Sequence, residues 1–546
     1  MRIFCCAVML IGIVMSDGAT AQQDETDLGT RASALRLEAD VRFLSDDMLE
    51  GREAGTRGYD LAALYVAEAY RAIGLDPGGD KFSYFQRVPL REDKHDPNGV
   101  AELTLSKGKK EFDLSQNEDY FVMTSSQSAK AVIEAPAVFA GFGMVAEEHG
   151  RDDFDGLDVE GKIVFLLTGA PKFLNSEERA YHGNVKWQNA SDRGAVGVVA
   201  VFTITTQKVI PFPRFVAYRS STSSMSWLDV EGRPFTLAPN IQAAAVLSLE
   251  GGARAFAGSE AWPEILEAAE SVSGDVPGFD LGIQARIEVD SLHRQLESPN
   301  VIGVLPGSDP ALRDEFVILA AHLDHDGIRR SEDPDDDEIF NGAMDNAVGV
   351  AAMLEVARLL VLDPPKRSVV FVALAAEEKG LVGSDYFARN PTMPADSMVA
   401  VVNLDMPIMT YDFTDVVAFG AERSTLFPIV EAAVNQRGLT LSPDPVPDEG
   451  LFTRSDHYSF VQQGVPAVFL SPGFADGGEE AQNEFRQAHY HQVTDEAEHV
   501  DFDALAKFSE AKHAIARGIA DMATRPVWKS GDFFGKTFNG PMEDQL

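Results

Sequence analysis

From Asn300 onward, short and wholly apolar runs alternate with stretches whose apolar residues recur at helical spacing. Val301–Leu305, Phe316–Ala321, Ser368–Ala376, Met398–Leu404 and Ala467–Leu470 have the length and β-rich composition of buried strands. Between and after them, the spacing predicts helices over Asn346–Leu362, Leu381–Arg389, Leu426–Gln436 and Phe502–Met522. Such alternation argues for an α/β fold, a mostly parallel or mixed central sheet flanked by helices. Upstream, an imperfect helical pattern over 31–48 precedes a clearer helix, Tyr59–Ile73, stopped by Gly74, Pro77 and the Gly78-Gly79 pair. Residues 82–125 read as strands and turns. From Ala131 the style changes to short β segments rich in glycine, among them Gly161–Leu167 and Ala195–Phe202, with a helical stretch at Trp187–Arg193. These patterns divide the chain into an α/β domain assembled from 22–129 and 291–525, a β-rich insertion over 130–290, and a tail over 526–546 with no evident role.

The strand ends carry the chemistry. The run from Phe316 leads into His322-Leu323-Asp324, the run from Ser368 stops at Glu377-Glu378, and the run from Met398 stops at Asp405. Asp345 opens a new helical pattern, whereas Ala467–Leu470 ends without such a residue. Ligands of open α/β sheets collect outside the carboxyl ends of strands. With His491, the set comprises two imidazoles and four carboxylates, counting Glu377. So many acids at one edge raise each other's pKa unless cations intervene. Mixed nitrogen and oxygen donors suit zinc best, with manganese or cobalt also accommodated. A shared aspartate gives each of two metals three protein ligands. Water acidified there, beside a carboxylate able to take its proton and pass it to a leaving amine, describes amide hydrolysis.

The remaining features limit location and partners. Met1-Arg2, the apolar run Ile3–Met15 and Ala19-Thr20-Ala21 have the layout of a secretory signal over 1–21, so the chain is expected to be exported, periplasmic or extracellular. Both cysteines, Cys5 and Cys6, fall inside that signal, leaving none for disulfides. No later run approaches the roughly 20 apolar residues of a membrane span, so no stable membrane insertion is expected. The 86 acidic residues against 46 basic ones give a formal charge of −40, which argues against nucleic acid and anionic lipid as partners. The sequence carries no signal for oligomeric state.

The motifs HLDH, GAMDNAVGV, AAEEKGLVGS, NLDM and HYHQVTDE together resemble the di-zinc aminopeptidase family, which includes secreted bacterial leucyl-type aminopeptidases and, more distantly, glutamate carboxypeptidase II. The insertion, GFGM…DVEGKIVFLLTG…ASDRGAVGVVAV, resembles a protease-associated domain. LEGREAGTRGYDLAALYVAEAYRAIGL resembles the family's N-terminal helical segment. The resemblance implies two Zn(2+) per chain and peptide substrates cleaved at their N-termini. It makes His322, Asp345 and Asp405 ligands of one zinc, and Asp345, Glu378 and His491 ligands of the other. It also makes Glu377 the general acid/base, Asp324 the acid that orients a metal-bound imidazole, and Tyr490 a donor to the tetrahedral intermediate. The Asp345-Asn346 peptide is then expected to be cis, and the inserted domain to border the substrate pocket.

Around this set the resemblance leaves His325 as a neighbour. His489 competes with His491, which is favoured by Asp495 a few residues on. His457 lies either near the substrate pocket or in a structural hydrogen bond, and the acidic loop Ser331–Glu338 either binds calcium or is solvated. A carboxypeptidase or dipeptidase on the same scaffold needs Arg or Lys placed for a substrate carboxylate, with Arg454 a candidate. A one-metal glutaminyl cyclase or a non-catalytic, receptor-like binding protein is less consistent, because no ligand or base is missing.

Overall fold

The computed structural model describes residues 31–545 apart from 257–260, 332 and 334, so the expected signal over 1–21 lies outside it. The predicted central sheet forms from the apolar runs. Its middle consists of four parallel strands in the order Ser368–Leu374, Phe316–His322, Met398–Asn403 and Ala467–Pro472. Phe279–Leu305 adds antiparallel on one side. Asp415–Phe419 adds antiparallel on the other and is followed by Thr440–Ser442.

The strands are apolar on both faces because helices cover both. Val317, Leu319 and Ala321 point into a core shared with Arg57–Ile73, Val348–Leu362 and Phe502–Ala520. Ile318 and Ala320 point to the opposite core, with Phe387, Phe460, Trp528 and Phe534. The helix expected from Asn346 begins two residues later, at Val348, because Ala343–Ala347 forms a wider turn around Asp345.

Strand Phe279–Leu305 runs through the boundary placed at 290. Its second half pairs with Phe85–His95. Its first half pairs with Ala101–Lys107 and Lys130–Phe139. A second sheet continues from there through parallel strands Ile163–Leu167, Gly197–Val201 and Ala243–Leu247. The segment read as β-rich also carries helices, among them Ser176–Asp192, so its core is mixed α/β. The short helical stretch expected at 187–193 is the end of this longer helix, whose low apolar content hid its first half.

The C-terminal tail is part of the body. Trp528 is fully buried, its Nε1 donates to the Gly464 carbonyl at 2.8 Å, and Phe534 and Met542 lie in the same core. Trp528→Ala is expected to lower unfolding stability by about 3–5 kcal/mol, the usual range for deleting a large buried ring. Chemical denaturation measures this, and a change under about 1 kcal/mol contradicts the packing.

Candidate metal centre

Strand register places the first groups. His322 is the last residue of its strand, opposite Leu374, and Ala320 lies opposite Asn403. Glu377, Glu378 and Asp405 therefore leave the sheet at the edge where His322 stands. Asp345 comes from the turn that starts at Gly342, whose φ is +57° and where an added Cβ would lie 2.2 Å from the Asp345 carbonyl oxygen, so a side chain there is excluded. Asp495 fixes that turn by accepting from the Met344 and Asp345 amides at 2.9 and 3.0 Å. Asn346 ties it to the Asp405 segment, donating to the Leu404 carbonyl at 2.9 Å and accepting from the Met406 amide at 3.1 Å. The Asp345-Asn346 peptide is cis.

The side chains converge as two sets sharing Asp345. His322 Nε2 lies 3.2 Å from Asp345 Oδ1 and 3.1 Å from Asp405 Oδ1. His491 Nε2 lies 3.1 Å from Asp345 Oδ2 and 3.4 Å from Glu378 Oε2. Donors about 2.0–2.1 Å from a tetrahedral zinc stand roughly 3.3 Å apart, close to each of these imidazole–carboxylate distances, and His322, Asp345 and Asp405 also lie within 4.8 Å of one another as a candidate metal group. Asp345 turns one oxygen to each imidazole.

His325 forms a competing group with Asp345 and Glu378. Its Nδ1, however, is 2.8 Å from Glu378 Oε1, the separation of a hydrogen bond, and His491 approaches the other Glu378 oxygen. We therefore place His325 as a support for Glu378. His489 bonds Thr494 Oγ1 at 2.9 Å and stacks near His499, away from both sets. His457 is fully buried between Phe452 and Phe469 and does not line the cleft.

Electrostatics follow from this crowding. Burial opposes charge on His491, yet the hydrogen bond to Asp345 and the charge of Glu378 push it up to about 9. His322 is raised despite burial by Glu377 and Asp405, and Asp345 is held well below the usual carboxylate range by both imidazoles, against its own burial. An imidazole that takes up a metal ion must give up its proton at the ligating nitrogen, so metal binding here would be pH-dependent. Burial first, then the charges of Asp405 and Glu378, raise Glu377 against the pull of His322.

Asp324 acts differently from the expectation. Its carboxylate accepts the amides of Glu377 and Glu378 at 3.0 and 3.3 Å, while its main-chain carbonyl oxygen lies 3.2 Å from His322 Nδ1. Two residues past the strand end, its backbone curls back to the ring, and its side chain reaches the neighbouring loop. Tyr490 lines the cleft, 37% exposed, with its ring 4.1 Å from that of His491.

Three supporting groups were given no role by the sequence. Arg52 is buried, and its guanidinium donates to the carbonyls of Leu44, Leu323, Asn341 and Gly342, tying together the loops behind the centre. Ser455 Oγ donates to Asp405 Oδ2 and accepts from Asn403 Nδ2. Buried Lys512 donates to the Asn403 carbonyl. The cleft is walled by Met406, Phe419, Leu451 and Phe469, with Arg454 and Arg486 also lining it. Among the described residues, none from 130–290 lines it. Helix Ser176–Asp192 only reaches its flank, through Arg179 to Asp448 at 3.0 Å and Glu177 to Arg423.

Residues 300–516 match Peptidase family M28. That segment contains both donor sets and Glu377. Aminopeptidase Y of Saccharomyces cerevisiae is 28% identical over 243 residues, 43% of this chain and 41% of that protein. A probable zinc metalloprotease of Pyrenophora teres f. teres is 36% identical over 106 residues, 19% of this chain and 22% of that protein. The chain thus spans about a fifth to two fifths of the length of such curated relatives. An aminopeptidase from Aneurinibacillus sp. strain AM-1 superposes with a TM-score of 0.48 at 20% identity, covering 88% of this chain and 92% of that one.

Proposed function

We propose that the chain is a zinc-dependent exopeptidase that removes N-terminal residues from peptides, with two zinc ions per chain. The observation that carries this is the pair of donor sets sharing Asp345. The match to Peptidase family M28 and the names of the relatives, an aminopeptidase and a probable zinc metalloprotease, support it. Zinc, when bound, supplies a Lewis acid and lowers the pKa of water.

The chain's own residues do the rest. Among the described residues, Glu377 is the one cleft carboxylate outside both donor sets, and its carboxylate takes the proton of the attacking water and returns it to the leaving amine. Tyr490, at the cleft wall, donates its hydroxyl to the oxygen on which negative charge develops. Phe419, Leu451 and Phe469 offer an apolar surface to the substrate's side chain. Export after Ala21 belongs to the same proposal and rests on the N-terminal pattern alone.

The test uses protein recovered after export, with its N-terminus sequenced, its metal content measured, and its hydrolysis of L-leucyl-p-nitroanilide compared with that of an N-acetylated peptide. The expected result is an N-terminus at Gln22, about two zinc ions per chain, and cleavage only of the substrate with a free amine. Cleavage of the blocked peptide alone favours the carboxypeptidase alternative. Activity that survives complete removal of metal refutes the metallopeptidase reading.

A further inference from the structure

The cleft holds two guanidinium groups that the proposed chemistry does not use. Its four carboxylates, Asp345, Glu377, Glu378 and Asp405, are all committed to the donor sets or to proton transfer. Arg454 and Arg486 line the same space, and among the described residues neither meets a carboxylate. The Arg486 side chain contacts only Gln482 Oε1, at 3.4 Å, and Arg454 extends from the segment with no side-chain partner. Among the described residues, two cleft guanidiniums with no carboxylate in ion-pair contact are free to receive the carboxylate of a bound molecule.

Both arginines are held close to the reacting centre by the backbone that carries other site groups. Arg454 immediately precedes Ser455, whose hydroxyl clasps Asp405. Arg486 lies in helix Gly478–Ala488, about one turn before Tyr490 and His491. Their reach is therefore tied to the position of the scissile bond. A guanidinium presents parallel N–H donors matched to the two oxygens of a carboxylate, and such charge-assisted bonds are stronger than neutral ones.

We propose that Arg454 and Arg486 form a carboxylate-reading subsite, so that the chain selects substrates bearing a carboxylate next to the cleaved residue. That group is either the free C-terminus of a short peptide or the side chain of an acidic residue. The proposal deepens the peptidase reading for its substrate, and its binding test stands apart from turnover.

Calorimetry on the zinc-loaded Glu377→Gln protein compares leucylglycine, leucylglycinamide and leucyl-aspartyl-amide. At least one of the two carboxylate-bearing probes is expected to bind about tenfold or more tighter than leucylglycinamide, as for loss of a charged hydrogen-bond partner. Which of them gains shows whether a terminal or a side-chain carboxylate is read. Adding Arg454→Gln and Arg486→Gln should remove the preference, and the lysine replacements should keep part of it. Equal binding of all three probes, no binding of any, or a preference that survives both glutamine substitutions overturns the subsite. The three-probe comparison in the singly substituted protein needs no arginine variant, so a folding defect in those variants does not decide the matter. Wild-type turnover of L-leucyl-p-nitroanilide with equal probe binding sinks the subsite alone. Selective carboxylate binding with no turnover of any peptide sinks the peptidase reading alone.

Discussion

Replacing Asp345 by alanine is expected to bring bound zinc from about two ions per chain to below one, and to lower kcat/KM on an N-terminal aminoacyl substrate by at least about 10⁴-fold, as much as the loss of one proton-transfer group at its largest. Among the described residues, Asp345 alone stands between the two imidazoles, with one oxygen 3.2 Å from His322 and the other 3.1 Å from His491. Its removal opens both donor sets at once. It also leaves the buried His322 and the half-buried His491 without the carboxylate they share. The readout is elemental analysis beside kinetics and a denaturation curve. Full zinc occupancy in this variant refutes the shared-ligand arrangement. Loss at His322 or His491 alone should be milder, because each belongs to a single set.

Glu377→Gln is expected to behave in the opposite way with respect to metal. Zinc content and KM should stay near their starting values while kcat falls by about 10²–10⁴-fold, the contribution of a positioned acid/base. The amide keeps the size of the side chain and cannot accept a proton from water. Asp324 still receives the amides of residues 377 and 378, so the Glu378 ligand is not displaced. Undiminished kcat in a zinc-replete variant removes Glu377 from the proton-transfer role. If kcat and zinc content fall together, Glu377 supports the metal rather than the proton.

His322, Glu378 and Asp405 were legible because each follows an apolar strand, and strand ends of an α/β sheet gather at one edge. Asp345 and His491 joined that set as an aspartate at a helix start and a histidine in a polar stretch, each an ordinary surface residue taken alone, and the motifs around them gave each its place as a ligand. Asp324 was assigned to the centre on the same grounds. Which of its groups touches the imidazole depended on how the backbone turns after the strand, and the carbonyl does so.

Other residues had no role that the sequence could assign. Arg52 lies in a glycine-punctuated turn that reads as a loop, and only the folded chain brings the carbonyls of Leu323, Asn341 and Gly342, some 270 residues or more away, around its guanidinium. Ser455 is one of many serines until its hydroxyl is seen on Asp405. The boundary near 290 was placed by a change in composition, but Phe279–Leu305 is one strand, and both sheets share it.

By itself the sequence determined the alternation of strands and helices, because burial on both faces demands unbroken apolar runs, and it determined which strands end in ligand-type residues. Tertiary structure decided the rest: which oxygen of Asp345 faces which imidazole, that His325 braces Glu378, and that Arg454 and Arg486 share a cleft. Those outcomes depend on register and on distances between residues far apart in the chain, and pairwise geometry at 3 Å has no counterpart in local periodicity.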